Sequence, residues 1–334
     1  MTGGTRWTLP FRDQASLAPC REGHGPEASL PGAVPPEAVP PETVPLEPAP
    51  LEMEGVRFAY SRKRPLFQDL DFTLPAGGVV GLLGRNGAGK TTLLKLGMGL
   101  LFPREGRVSL FGSPAGRRRP AILSRLVFIP EQIAPPPVTL VQYFHLQSGY
   151  YPAFDPARAE TWAEQFEIPL DQALPSLSYG QQKKALLVTA LACGPDLVIL
   201  DEPTNGLDIP SKRVFRQLIS QATQEGCSVV VSTHQVQDVA KLLDHVIILE
   251  GGKVLFQASR RTLLEELELR RFSSEEEARQ AGALAWEVRF GVPVAVVPRD
   301  RTTPAGEELD LELLFHAAMT NPEALAAVCP GGDR

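Results

Sequence analysis

The run Gly84-Arg85-Asn86-Gly87-Ala88-Gly89-Lys90-Thr91 has the spacing G-x-x-x-x-G-K-[ST], which suits a cradle for phosphate. Glycines at 84, 87 and 89 lack a Cβ, so the backbone can curl and aim its N–H groups at phosphate oxygens. Lys90 adds a cation to the same oxygens, and Thr91, with Thr92 behind it, offers a hydroxyl to a divalent ion. Further along, Leu197-Val-Ile-Leu-Asp201-Glu202-Pro203 reads as a buried strand ending in two carboxylates. The first can hold Mg²⁺ through water, and the second can act as general base on an attacking water. Between these runs lies Leu177-Ser178-Tyr179-Gly180-Gln181-Gln182, ahead of a helix expected from about Lys183 to Ala192 and stopped by Gly194-Pro195. Ser178 suits its N-cap and Gly180 permits close backbone approach, a combination that binds phosphate and also fits an ordinary capped helix.

The elements that must position these residues follow from periodicity. Val79-Val-Gly-Leu-Leu83 is a strand leading into the glycine loop, and Thr91-Thr-Leu-Leu-Lys-Leu96 opens a helix after it. Met53–Phe58 and Leu70–Leu74 alternate, as half-buried strands do, and Arg107–Phe111 is a further strand. Leu126–Ile129, Leu197–Leu200 and Ser228–Val231 are solid aliphatic runs, the pattern of parallel strands covered on both faces. Residues 138–193 are rich in helix formers, and Val246–Glu250, Gly251-Gly252 and Lys253–Phe256 read as a hairpin. Beyond 260, Thr262–Arg270 reads as helix, Ala285–Phe290 and Val292–Val297 as strands, and Leu309–Met319 as an amphipathic helix.

Composition narrows the function. With 43% hydrophobic and 22% charged residues the chain is an ordinary globular protein, and a net charge of −6 argues against a nucleic-acid partner. The one basic cluster, Arg117-Arg118-Arg119, reads as a solvated loop. Cys20, Cys193, Cys227 and Cys329 are too widely spaced for a zinc site or disulfide framework, which suits a reducing, cytoplasmic compartment. No run approaches the roughly 20 apolar residues of a membrane span, and no signal-peptide core is read. Residues 1–50 hold many of the 32 prolines, with scattered glutamates, and read as a disordered or polyproline-like arm.

Taken together, the motifs resemble those of the ABC (ATP-binding cassette) family. Leu177–Gln181 is similar to its signature L-S-G-G-Q and lies just upstream of the Asp–Glu strand, as in that family. The resemblance implies further roles. Tyr60 stands where the family stacks an aromatic on adenine, and Gln132 matches a glutamine that reaches Mg²⁺ and the attacking water. Asp208, in Asn205-Gly-Leu-Asp208, matches the loop between two nucleotide sites, and His234 matches a switch histidine that contacts the γ-phosphate. The resemblance covers about 51–260. Two departures stand out: Tyr179 replaces the first signature glycine, and Glu131 precedes Gln132. Since Ser178 and Gly180 carry the expected binding atoms, function should survive the first departure.

The expected fold is α/β: a P-loop NTPase core with an antiparallel β subdomain and a helical subdomain inserted at about 135–185. A small α+β extension is expected over 261–334. The implied activity is ATP hydrolysis with Mg²⁺, each ATP held between one subunit's P-loop and the Ser178–Gly180 segment of a second cassette. The implied partners are that second ATPase subunit, identical or related, and a membrane-spanning permease on a separate chain. That places the chain in the cytoplasm, peripheral to the membrane's inner face. An export or multidrug-type transporter subunit is the favoured reading; a soluble ABC ATPase of translation or DNA repair is the alternative.

Overall fold

The structure, a computed structural model, describes residues 48–61, 64–300 and 310–330. The proline-rich arm up to residue 47 and Leu309 lie outside the described residues.

Strands β1 (Leu51–Phe58) and β2 (Phe67–Leu74) pair antiparallel, with Leu51 opposite Leu74. The inward residues of β1 are Leu51 and Met53, then Val56 and Phe58. The change of phase comes from a register shift between Met53 and Val56, where Gly55 takes φ 55°; the bulge keeps both halves of the strand facing one core. Strand β3 (Val79–Leu83) leads through the glycine loop into helix α1 (Lys90–Gly97), followed by β4 (Glu105–Leu110) and the short β5 (Ser113–Pro114). The first sheet runs β2-β1-β4-β5. Arg118 is more than a solvated side chain: its Nη1 donates to the carbonyls of Met98 and Gly99 at 3.3 and 3.2 Å, closing the C-terminal end of α1. Arg117 and Arg119 are exposed as expected.

After α2 (Pro120–Leu123) comes β6 (Leu126–Ile129), then a helical region of α3 (Leu140–Ser148), α4 (Pro156–Gln165) and α5 (Tyr179–Ala192). Their starts are written locally. Thr139 caps α3 in a capping box with Gln142, Asp155 caps α4 ahead of Pro156, and Ser178 caps α5 in a box with Gln181. The last helix therefore begins four residues before the expected Lys183.

The chain then lays down β7 (Leu197–Asp201), α6 (Ile209–Gln224), β8 (Ser228–Thr233), α7 (Val236–Val239), β9 (His245–Glu250) and β10 (Lys253–Ser259). The second sheet runs β10-β9-β3-β8-β7-β6, all parallel except the β10 edge. Every residue of β3, β7 and β8 is buried. Alternate residues feed opposite cores: Leu83, Leu200 and Val231 join the helical face, while Leu82, Ile199 and Val230 join the first sheet and α1.

Beyond 260 one expectation is corrected. Only Arg260–Glu266 is helix (α8), and Leu267–Arg271 is strand β11. Pairing along β13 (Val292–Pro298), with Leu267 opposite Pro298 and Leu269 opposite Val296, overrides the helix propensity of Leu-Glu-Leu-Arg. Between them lie α9 (Glu275–Gln280) and β12 (Ala285–Arg289), giving a third sheet ordered β11-β13-β12. Helices α10 (Leu311–Thr320) and α11 (Pro322–Val328) bring Leu314, Ala317 and Leu325 into the core that also holds Val239 and Val246.

Candidate active site

The carboxyl ends of β3, β6, β7 and β8 converge, the position at which open parallel sheets bind ligands. The loop 84–89 rises from β3. A Cβ on Gly84 would lie 2.4 Å from the Leu249 carbonyl oxygen, so no larger residue fits where the loop leaves the sheet. Gly89, at φ 108°, is the N-cap of α1, and Lys90 is that helix's first residue. Burial pushes the Lys90 ammonium below its ordinary pKa, against the opposing pull of Glu202, Asp201, Glu131 and Glu250. Its Nζ donates to the carbonyls of Gly84 at 2.7 Å and Arg85 at 3.3 Å. Thr91 Oγ1 donates to Asp201 Oδ2 at 2.6 Å, joining the first turn of α1 to the end of β7.

Glu202, the next residue, is buried and sits at φ 49°, a left-handed conformation that costs a residue with a Cβ roughly 1–2 kcal/mol. Strand β8 and the residue after it hold it in place. Its N–H donates to Ser232 O at 2.8 Å, Thr233 Oγ1 donates to its Oε2 at 3.1 Å, and the His234 amide donates to its Oε1 at 3.1 Å. The His234 Nδ1 lies 2.6 Å from the same Oε1. A carboxylate only accepts, so Nδ1 carries the proton in this bond, and the other ring nitrogen is left for a ligand.

These groups line a cavity of about 640 Å³ together with Arg85, Asn86, Gly87, Thr92, Glu131 and Tyr60. Tyr60 stands at its rim, 67% exposed, edge-on to Phe58 with ring centroids 5.0 Å apart, its hydroxyl 3.0 Å from Thr92 Oγ1. Ala88 is buried within the loop, where its N–H donates to Arg85 O at 3.1 Å.

A family profile described as ABC transporter matches residues 67–205. SkfE, the SkfA peptide export ATP-binding protein of Bacillus subtilis, is 34% identical over 194 residues, covering 56% of this chain and 80% of SkfE. The chain belongs to the ABC transporter family. The nickel import ATP-binding protein NikO of Rhodobacter capsulatus is also 34% identical, over 60% of this chain and 86% of NikO. A solved ATP-binding subunit of an ABC transporter superposes with a TM-score of 0.58 at 25% identity, covering 70% of this chain and 93% of that one. The protein is thus an ATP-binding and ATP-hydrolysing subunit of an ABC transporter, and the P-loop NTPase fold expected from sequence is the fold observed.

The cassette does not bring every candidate to the cavity. Ser178 is exposed at the N-terminus of α5, accepting from Gln181 N at 3.3 Å, and does not line the P-loop cavity. Gly180 lies so close to the chain at Gly206 that a Cβ would sit 2.9 Å from its carbonyl oxygen. Asp208 caps α6, accepting from Ser211 N at 2.9 Å; bonds from the Ser211 side chain and amide hold it below the usual carboxylate range. Gln132 is exposed, and its neighbour Glu131 takes the place at the cavity wall.

Sequence reasoning did not single out Thr233 or Lys183, and it gave no role to the Tyr179 hydroxyl. Tyr179 donates to the Glu131 carbonyl at 2.8 Å, fastening the loop after β6 to α5. The buried Lys183 donates to the Glu202 carbonyl at 2.8 Å. Burial pushes its ammonium below the ordinary value, opposed by Glu131, Glu202 and Asp201. The S-T-H run at the end of β8 was the available signal for Thr233; the other two bonds depend on tertiary placement alone.

Proposed function

We propose that this subunit binds Mg²⁺ and ATP at the Gly84–Thr92 loop and hydrolyses ATP with Glu202 as general base. The observation that carries the reading is the fixed carboxylate of Glu202. It is buried, aimed into the cavity that holds Lys90, and held by Thr233 and His234. A water placed there gives its proton to a Glu202 oxygen while Lys90 and the loop amides hold the phosphates. Thr91 and Asp201 fit a magnesium ion: two hard oxygen donors, already in contact, beside a phosphate cradle. When bound, the ion would neutralise charge developing on the phosphate oxygens. Tyr60 would stack on adenine, and His234 would offer its second nitrogen to the terminal phosphate. Gln132 would reach the ion and the attacking water only after the loop after β6 moves.

Ser178 and Gly180 stand away from their own chain's cavity, which supports their serving the nucleotide of a second cassette, with Asp208 at the boundary between the two. ATP then joins two subunits and hydrolysis releases them, because the two nucleotide states bind the interface differently. A permease on another chain completes the transporter. No helix among the described residues is long and apolar enough to cross a membrane. Val141, Leu146 and Tyr150, exposed along and after α3, would offer apolar contacts to that partner, which supports a position at the membrane's cytoplasmic surface. The peptide-export relative supports outward transport and the nickel-import relative, equally identical, the reverse; we take the outward reading, which transport in inverted vesicles tests. Membranes from cells expressing a tagged Glu202→Gln subunit, solubilised with Mg²⁺ and ATP, should yield a multi-span protein on affinity capture. Recovery with ribosomes or DNA instead would overturn the transporter assignment for this chain. In inverted vesicles the same complex carrying wild-type Glu202 should accumulate cargo; loss of preloaded cargo would reverse the direction.

A further inference from the structure

Helix α5 makes two side-chain hydrogen bonds to the loops around the cavity, and neither comes from the residues that resemble the family signature. Tyr179 reaches the Glu131 carbonyl, and Lys183 reaches the carbonyl of Glu202. The second bond falls on an unusual peptide. Glu202, at the end of β7, has a positive φ of 49° although it carries a side chain, and it precedes Pro203, a neighbour that narrows its backbone choices further. Such a conformation persists only where the surroundings over-determine it. The side chain and N–H of Glu202 are held from β8, by Thr233, His234 and Ser232. Its carbonyl side is held from α5, by Lys183.

We infer that Lys183 is a positioning residue for ATP hydrolysis: its ammonium fixes the Glu202 peptide, and so the direction in which the Glu202 carboxylate points. The inference rests on the general-base reading of Glu202. Lys183 is suited to this work. It is 5% exposed, so water does not compete for the bond, and a charged donor makes the stronger hydrogen bond to a carbonyl. The Tyr179 ring lies over it, with Nζ 5.4 Å from the ring centroid, which shields it on the exposed side. Lys183 also stands about 7.5 Å along the helix from the Ser178 cap, so the same rigid element carries the phosphate-facing end and the anchor of the carboxylate.

The alternative is a lysine that merely satisfies a buried carbonyl and supports the fold. The two separate in steady-state kinetics on the full chain. In Lys183→Met, kcat should fall about ten- to a hundredfold, the range expected for a misaimed catalytic group, with ATP affinity within about twofold of wild type. Lys183→Arg, which keeps a charged donor, should recover part of the lost kcat. Wild-type kcat in Lys183→Met, or kcat and ATP affinity falling together in both variants, would overturn the inference. Glu202→Gln, measured alongside, keeps the two readings apart. If it is inactive while Lys183→Met turns over normally, the Lys183 assignment alone fails; if Glu202→Gln itself turns over normally, the general-base reading fails.

Discussion

Replacing Tyr60 with alanine tests whether the rim of the cavity grips the base. The ring is 67% exposed, stands edge-on to Phe58 at an interplanar angle of 86°, and is steadied by the 3.0 Å contact between its hydroxyl and Thr92 Oγ1. Losing the edge contact costs about 0.5–1.5 kcal/mol, so the variant stays folded. Stacking a base on an exposed aromatic is worth about 1–3 kcal/mol by alanine substitution, which corresponds to a rise in the ATP Kd of roughly 5- to 150-fold. The hydroxyl contact only steadies the ring; Tyr60→Phe should therefore weaken binding by at most about tenfold, since an ordinary hydrogen bond is worth about 0.5–1.5 kcal/mol. Tyr60→Trp should keep the affinity. Calorimetry with ATP in a Glu202→Gln background measures Kd without turnover. An alanine variant that binds ATP like its parent would refute the stacking role.

Two further outcomes follow from the geometry. Thr91→Val removes the hydroxyl that contacts Asp201 while keeping its shape, so half-maximal ATPase activity should require about tenfold more Mg²⁺ or higher, and Thr91→Ser should restore it; equal Mg²⁺ titrations would contradict the ligand assignment. Burial pushes the Cys193 and Cys227 thiols up to about 12 and Cys329 up to about 11, so at pH 8 all three should resist a thiol reagent until denaturant is added, and more than one reactive thiol per native chain would refute this. The sign for stability follows: a thiol whose folded pKa is raised stays protonated in the native state, so stability falls as pH climbs past its unfolded value of about 8.5.

Much of the fold was legible because its parallel strands are buried on both faces. Leu197–Asp201 and Ser228–Thr233 carry unbroken apolar runs that no surface helix could carry. The Ser178 cap of α5 was legible, although the helix begins four residues before the expected Lys183. Strand β11 was not, because its partner lies more than twenty residues away and its own residues favour helix. In the site, the glycine loop and Asp201-Glu202 are contiguous motifs, and their meeting follows from the adjacency of β3, β8 and β7. The placement of Gln132 does not: the bond from Tyr179 to the Glu131 carbonyl sets that loop, and no spacing in the sequence encodes it. The same holds for Lys183, a helix lysine like its neighbour Lys184 until the fold carries its ammonium to the Glu202 carbonyl.

The most direct measurement is the paired rate and affinity of Glu202→Gln. The substitution keeps the size of the side chain and one acceptor oxygen, toward His234, while its NH2 faces the Thr233 hydroxyl, which can accept, and the carboxylate that takes a proton is gone. The account predicts ATPase activity lowered by about 10²- to 10⁴-fold, ATP binding retained, and an ATP-held dimer that persists on size-exclusion chromatography with Mg²⁺. Hydrolysis at the wild-type rate, with the same affinity, would contradict it.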